Sequence, residues 1–482
     1  MPSIKCPFFL RIVILCSLCI LGFGCRPVST NSSPTSTAAP IPSISAAPPI
    51  AVFTQTNPPP VVFDPEKSGE LLAVGRANPE AGALNSTLAV DSLTGQFKLL
   101  GEGWPVAWSP SGKFLLARHD NSFIIYDRRG AKALPGTELI DQSEFPLNQN
   151  TFFWLPIGVL PGSDDWLVIQ NKDDQGLEAL GIPSGERRIL LSVKSLGAGA
   201  PSFRMEATTT GWLAWVPIQA SLAQAGQTGQ TLSAIQVANP SQVHTWTLSK
   251  NIEKAYYTVL DAVPGASLVL LGAAPASTAG MDGVALYTFD LESGILKDLR
   301  VKMLPNPDAY AWSPTQPGKM ALAVGDGHST SHNKSLASLD VKTGEVKYLT
   351  DPKMAAFEPN WSPDGEKLAY VALPDANVSP NITTTALSGR AIYVYDFGTG
   401  QSKAITSPGT SIDGWPHWLK DQTKILFARY DGQQQTTLYL ENIADETIIS
   451  LGIQINATFL FDKGRCQSDQ CSWNMILLYT HG

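Results

Sequence analysis

The chain is poor in charge, in histidine and in cysteine. Only 16% of its 482 residues are charged, and its 34 Lys and Arg are outnumbered by 42 Asp and Glu, a net charge of −8. Nucleic-acid binders normally carry a basic stripe, so this balance excludes one. Six histidines, at positions 119, 244, 328, 332, 417 and 481, are scattered, which weighs against an enzyme that gathers them. No G-x-S-x-G elbow occurs. What is present is 43% hydrophobic residues with 40 Gly, 36 Pro and 12 Trp, a turn-rich composition able to bury a large core. A wholly disordered, coiled-coil or collagen-like chain is excluded. The length demands several domains or a repeat.

Four of the six cysteines, Cys6, Cys16, Cys19 and Cys25, fall in the first 25 residues, where Lys5 and Arg11 precede a nearly unbroken apolar run from Ile12 to Phe23. These are the marks of an export signal, and the run is too short to cross a bilayer. It ends in Leu21-Gly22-Phe23-Gly24-Cys25, which resembles the lipobox of bacterial lipoproteins, with Gly22 where that family usually has Leu. The resemblance implies lipidation of Cys25; an ordinary cleaved signal and a retained anchor are the alternatives. In an exported chain the remaining pair, Cys466 and Cys471, reads as a disulfide closing a small loop.

Residues 26–60 hold nine Pro, eleven Ser or Thr, one Arg and no acid. Such a segment cannot bury enough surface to fold and is expected to be a disordered tether, roughly 30 Å across as a coil. The expected organisation is therefore a signal over 1–25, a tether over 26–60 and a folded domain over 61–482.

From residue 61 the sequence repeats about every 50 residues. The clearest unit is Trp361-Ser362-Pro363-Asp364-Gly365 followed by Leu368-Ala369-Tyr370-Val371, with the same frame at Trp108, at Trp312 and, more weakly, at Trp418. Each copy reads as a strand ending at an aromatic residue, a tight turn and a second apolar strand. A second signature, D-x-x-[ST]-G, begins at Asp91, Asp290, Asp340 and Asp396. It is a hairpin turn in which Asp accepts from backbone N–H groups and Gly supplies a positive φ. With degenerate copies, including one at 238–242, there are eight such hairpins. The spacing predicts an all-β fold, a single β-propeller of four-stranded antiparallel blades, with eight blades favoured over seven. Closure requires the first and last strands to share a blade, since an open ring would expose edges.

The W-S-P-D-G turn with its Leu-Ala-Tyr-Val strand, then Ile392-Tyr393-Val394-Tyr395-Asp396 and Lys403-Ala404-Ile405-Thr406, resembles the WD-like repeat of TolB-type β-propellers. It is similar also to the propellers of prolyl-oligopeptidase-class peptidases. The likeness covers 61–482 and is sharp around Trp108, Trp312 and Trp361. In that family the repeat builds blades and carries no catalysis. The four Trp, Asp364, Gly365 and the four hairpin Asp are accordingly expected to be structural. A tether stands where TolB has an α/β domain, so the Tol role is not implied.

In such a unit the stereotyped turns share one end, and the connections between second and third strands emerge at the other. Those connections, 75–86, 217–232, 272–284, 325–335 and 373–390, are long and irregular. Variable loops on a rigid frame are the usual seat of binding. Asp326, His328 and His332 stand in one of them and could hold a metal together, although a solvated Gly/Ser loop is the simpler expectation. Ser331-x-x-Lys334 and Lys342-Thr343-Gly344 mimic a penicillin-binding enzyme pair but lie too close together. Trp104 and Trp415 fall outside the repeat frame.

The expected function is a non-catalytic scaffold, lipid-anchored at the outer face of a bacterial membrane, that binds a protein, peptide or glycan at the cell envelope. It is expected to be a monomer with no cofactor, no metal and no nucleic-acid partner. The alternative is a propeller lyase or hydrolase, which convergent polar residues with shifted pKa values at a channel mouth would mark.

Overall fold

The computed structural model describes residues 70–76, 86–91, 96–119, 122–134, 140–141, 153–170, 176–192, 203–217, 230–248, 255–275, 283–304, 307–325, 333–375, 389–409, 411–430, 435–456 and 476–480. All belong to the compact unit Pro49–Gly482. The unit Met1–Pro48, with Cys25, lies outside the described residues, as do Asp326, His328, His332, Cys466 and Cys471.

Among the described residues the fold is all-β, without an α-helix, and its strands are numbered here in chain order. The first sheet has β1 (Glu70–Arg76), β2 (Ser86–Asp91) and β3 (Phe97–Glu102), and its fourth strand is the last of the chain, β32 (Ile476–Thr480). β32 runs antiparallel to β1, with Ala73 opposite Leu477. The second holds β4 (Trp104–Trp108), β5 (Phe114–His119), β6 (Ser122–Asp127) and β7 (Ile140–Asp141). The third holds β8 (Phe153–Trp154), β9 (Asp165–Gln170), β10 (Leu177–Ile182) and β11 (Arg187–Leu191). The fourth holds β12 (Phe203–Ala207), β13 (Trp212–Pro217), β14 (Gln230–Gln236) and β15 (Asn239–Leu248).

Next come β16 (Ala255–Ala262), β17 (Leu268–Pro275), β18 (Val284–Asp290) and β19 (Leu296–Met303), then β20 (Tyr310–Trp312), β21 (Lys319–Val324), β22 (Ser335–Asp340) and β23 (Val346–Tyr348). A single residue pair, Met303 with Val324, joins these two quartets into one eight-stranded sheet. The last two sheets are β24 (Met354–Trp361), β25 (Lys367–Pro374), β26 (Ala391–Asp396), β27 (Gln401–Ala404), and β28 (Ile412–Trp418), β29 (Lys424–Tyr430), β30 (Gln435–Asn442), β31 (Thr447–Asn456).

Second strands are continuous apolar runs because both their faces are buried, successive side chains pointing to opposite sides. In β13, Leu213 and Trp215 pack towards the third sheet, while Trp212, Ala214 and Val216 pack towards β16 and β17. In β29, Ile425 and Phe427 face the preceding sheet, and Leu426 and Ala428 face Leu88 and Val90 of the first sheet. Further cores join the first sheet to the second, the second to the third, β16–β19 to β20–β23, and β20–β23 to β24–β27. The series of cores therefore returns to where it began.

Turn chemistry fixes the strand ends. Ser362 Oγ donates to Asp364 Oδ1 at 2.5 Å and accepts from the Lys367 N–H, and Asp364 Oδ1 accepts from the Glu366 N–H at 2.9 Å. Gly365 closes this turn at φ 71°. In the hairpin signature, Asp340 Oδ1 accepts from the N–H groups of Lys342 and Thr343, both at 2.9 Å, and Gly344 takes φ 84°. Asp290 and Asp396 do the same, and their carboxyls are held below the usual range. For Asp396 the bond from the Thr399 N–H is the main cause; for Asp290 such bonds outweigh a burial that alone would raise it. Asp340→Ala removes two bonds to exposed N–H groups and is expected to cost about 1 kcal/mol, read from urea melts.

One hairpin lies elsewhere than the sequence suggests. Gln236 pairs with Asn239 across a turn at Val237-Ala238, and 238–242 largely belongs to β15. Pro240 marks a turn in sequence, but β15 is the free edge of its sheet, where a missing N–H breaks no ladder.

Candidate functional site

Two bulges organise the long-connection end of the last sheets. β24 contains Phe357-Glu358-Pro359-Asn360-Trp361 and β28 contains Gly414-Trp415-Pro416-His417-Trp418. In each the pairing register slips at the Pro, which has no N–H for a ladder. The residue before it takes a left-handed backbone, φ 55° at Glu358 and 57° at Trp415, a conformation that costs about 1 kcal/mol or more in a non-glycine residue.

Glu358 holds both bulges. Its buried carboxylate accepts from Arg390 Nη2 at 2.5 Å through Oε1 and from the Trp415 N–H at 2.7 Å through Oε2. Arg390, one residue before β26, is itself buried, lies 4.8 Å over the Phe357 ring, and donates from Nε to the Asp413 carbonyl at 3.2 Å. Asp413 is wholly buried and accepts two parallel bonds from Arg429, Nε at 2.6 Å and Nη2 at 2.8 Å. Burial works against the Arg429 charge, but Asp413 outweighs it and raises the guanidinium pKa. Gly414 threads this cluster; a Cβ there would stand 3.1 Å from Arg390 Nη2 and 3.3 Å from Glu358 Oε2.

Asp308 approaches from the preceding sheet in a 3₁₀ turn, Pro307–Ala309. Burial, and then the Glu358 charge, push its carboxyl up to about 7. Burial pushes the His417 imidazole down to about 4, so it is neutral at pH 7, with its ring 3.8 Å from that of Trp415. Chemically, Glu358 with Arg390 and Asp413 with Arg429 are neutralised pairs, whereas Asp308 exchanges a proton near neutral pH. Among the described residues no three His, Cys, Asp or Glu side chains gather to hold a metal.

Trp361 and Trp418 end the two bulged strands, and the other residues singled out by the repeat lie in other strands and in the turns. Trp108 is half-buried against Ala89, Leu100 and Leu115. The indole of Trp312 donates to Asp261 Oδ2 at 2.8 Å, and that of Trp361 donates to the Ala311 carbonyl of the preceding quartet at 3.0 Å. Trp418 is buried with Ala369, Val394 and Ile425; its backbone N–H donates to Asn360 Oδ1 at 2.9 Å, and its indole N–H has no partner among the described residues. The Asp91 N–H donates to the Gln96 carbonyl; residues 92–95 lie outside the described residues. Trp415, outside the repeat frame in sequence, is buried in the core with Leu419, Leu426 and Leu440. Sequence reading missed Asp308, Glu358, Arg390, Asp413 and Arg429. Their signal was a charge interrupting an apolar strand, as in Ile412-Asp413 and Ala428-Arg429-Tyr430.

No protein-family model matches the chain, and no curated protein sequence does. Among solved structures it is similar to a puromycin hydrolase at 16% identity, over 73% of this chain and 54% of that one, with a TM-score of 0.43. It is similar to a putative TolB from Agrobacterium tumefaciens at 12% identity, over 80% and 89%, with a TM-score of 0.33. An oligogalacturonate lyase solved with manganese gives 12% identity over 77% and 97%, with a TM-score of 0.42. The chain spans about half the length of the puromycin hydrolase. Scores this low carry no argument about activity, and the fold stands on the strand pairing itself. The chain is an all-β protein of successive four-stranded antiparallel sheets, with a likeness to TolB proteins, hydrolases and lyases alike.

Proposed function

We propose that residues 61–482 form one eight-bladed β-propeller that serves as a non-catalytic binding scaffold, tethered through Cys25 to the outer face of a bacterial membrane. Support for a single ring comes from the cyclic series of cores and from β32 completing the sheet of β1. The signal and the Pro/Ser/Thr-rich tether support the location. The single observation that carries the non-catalytic part is the mutual pairing of Glu358 with Arg390 and of Asp413 with Arg429. Charges spent on each other hold the bulges of neighbouring blades and leave substrate chemistry to nothing in the pairs. The partner, a protein, peptide or glycan, is then met by the long connections at the same end. Capture from intact cells tests this: the tethered chain should recover a partner that a variant with 376–388 replaced by a Gly-Ser linker does not. Equal recovery by both contradicts it.

One observation favours a second function, a propeller lyase or hydrolase: the Asp308 carboxyl, which titrates near neutrality beside Glu358. An aspartate raised from 3.8 to about 7 contributes stability that is full below its unfolded value and is lost as pH rises through 7. Asp308→Asn should therefore melt progressively higher than the parent between pH 4 and pH 8 while keeping partner capture intact. Loss of a hydrolytic or eliminative turnover in this variant would instead establish the enzyme.

A further inference from the structure

A second buried carboxyl lies towards the short-turn end, within reach of the charges of Asp413 and Arg429. Glu441 of β30 is 1% exposed, and its Oε2 has no hydrogen-bond partner among the described residues. Strand packing does not explain it, since the residues paired across from it, Ile425 and Ile448, are apolar. Glu441 lines a cleft of about 260 Å³ between β26 and β27 on one side and β30 on the other. Val394, Ile405 and Ile443 give the cleft an aliphatic wall, and at its rim Lys403 Nζ is bonded to Glu446 Oε1, both side chains mostly exposed. An ammonium–carboxylate pair thus already forms in the lining of a cleft whose buried acid has no cation bonded to its Oε2.

The charges acting on Glu441 come from every side. Burial is the largest influence, Asp413 of β28 and Glu446 raise its pKa further, and Arg429 of β29 and Lys403 of β27 lower it, with the result near 8. At neutral pH the carboxyl keeps its proton. A cation brought into contact would stabilise the carboxylate strongly, because little water competes there. An anion would gain nothing from Glu441 itself, its attraction being confined to Lys367 and Lys403 of the lining, and a neutral alcohol would gain no charge partner.

We propose that this cleft binds a primary ammonium on an unbranched aliphatic stem, the group shared by a lysine side chain and a free alkylamine, with Glu441 as its carboxylate partner. The stem covers the aliphatic wall and the ammonium donates to Glu441 Oε2. The amine enters already protonated, so Glu441 releases its own proton to solvent and binding liberates one proton per ligand. This site is independent of the loop-end surface proposed above and lies at the opposite end of the sheets.

The probe is n-butylamine, titrated calorimetrically into the full chain at pH 7 in two buffers of different ionisation heat. Saturable binding with about one proton released is expected, with Glu441→Gln weakening it by about tenfold or more and abolishing the proton release. Gln keeps the shape and the neutral state, so the fold should survive, as circular dichroism checks. Ala404→Phe, at an exposed strand position on the cleft wall, should weaken the amine comparably with Glu441 intact. A blocked Gly-Lys-Gly tripeptide binding more tightly than n-butylamine identifies a polypeptide lysine as the natural group, and the reverse order identifies a free amine. Equal binding of n-butanol, unchanged affinity in Glu441→Gln, or no saturation overturns the proposal.

Discussion

Arg390→Ala is expected to lower the stability of the folded domain by about 3 to 5 kcal/mol, the usual result of removing one partner from a buried ion pair. The loss is large because Arg390 does three things at once. It neutralises Glu358, it donates to the Asp413 carbonyl, and it covers the Phe357 ring. Without it the Glu358 carboxylate stays buried at a residue whose backbone is already strained, with the Trp415 N–H as its remaining bond. A double variant, Glu358→Gln with Arg390→Met, should recover much of the loss, since replacing a whole buried pair by neutral groups is often close to neutral. Urea denaturation of the two variants separates an uncompensated charge from simple loss of packing. Equal destabilisation by single and double variants would assign the cost to packing instead.

Trp215→Ala should cost a similar amount, about 3 to 5 kcal/mol, by emptying the core between the third and fourth sheets. Trp215 is 2% exposed and shares that core with Trp166, Val168, Leu177, Met205 and Ile235. Repeat architectures lose stability first at the interface that is damaged. Amide exchange should accordingly speed up in β9, β10, β13 and β14 well before β29 and β30. Uniform acceleration across all sheets would mean that the folded domain opens as one unit, and the expectation of local damage would fail.

How the sequence discloses this molecule depends on the range of the interaction. Leu368-Ala369-Tyr370-Val371 and Ile425-Leu426-Phe427-Ala428 read as strands buried on both faces because a local run of apolar residues has few other uses. Asp340 with Gly344 reads as a turn because the hydrogen bonds that fix it lie within four residues. The turn expected at 238–242 falls at 237–238 because the edge strand β15 accommodates Pro240, and the local sequence does not say which strand is an edge. The paired-charge cluster was illegible for a different reason. Glu358 finds Arg390 32 residues later and the Trp415 N–H 57 residues later, across two sheets whose bulges had first to form. Nothing periodic joins those positions, and a charge such as Asp413 inside an apolar strand shows only that some partner must exist. Glu441 gives the same signal, and there the structure supplies a cleft in place of a partner.

The proposed scaffold function is tested most directly by where a partner touches the chain. A photo-crosslinking residue placed at Asn381, in a long connection between second and third strands, or at Thr343, in a hairpin turn at the other end, is carried by the tethered chain in intact cells. The account predicts crosslinks to one recurrent partner from position 381 and none to it from position 343. Crosslinks to that partner from position 343 alone would contradict it.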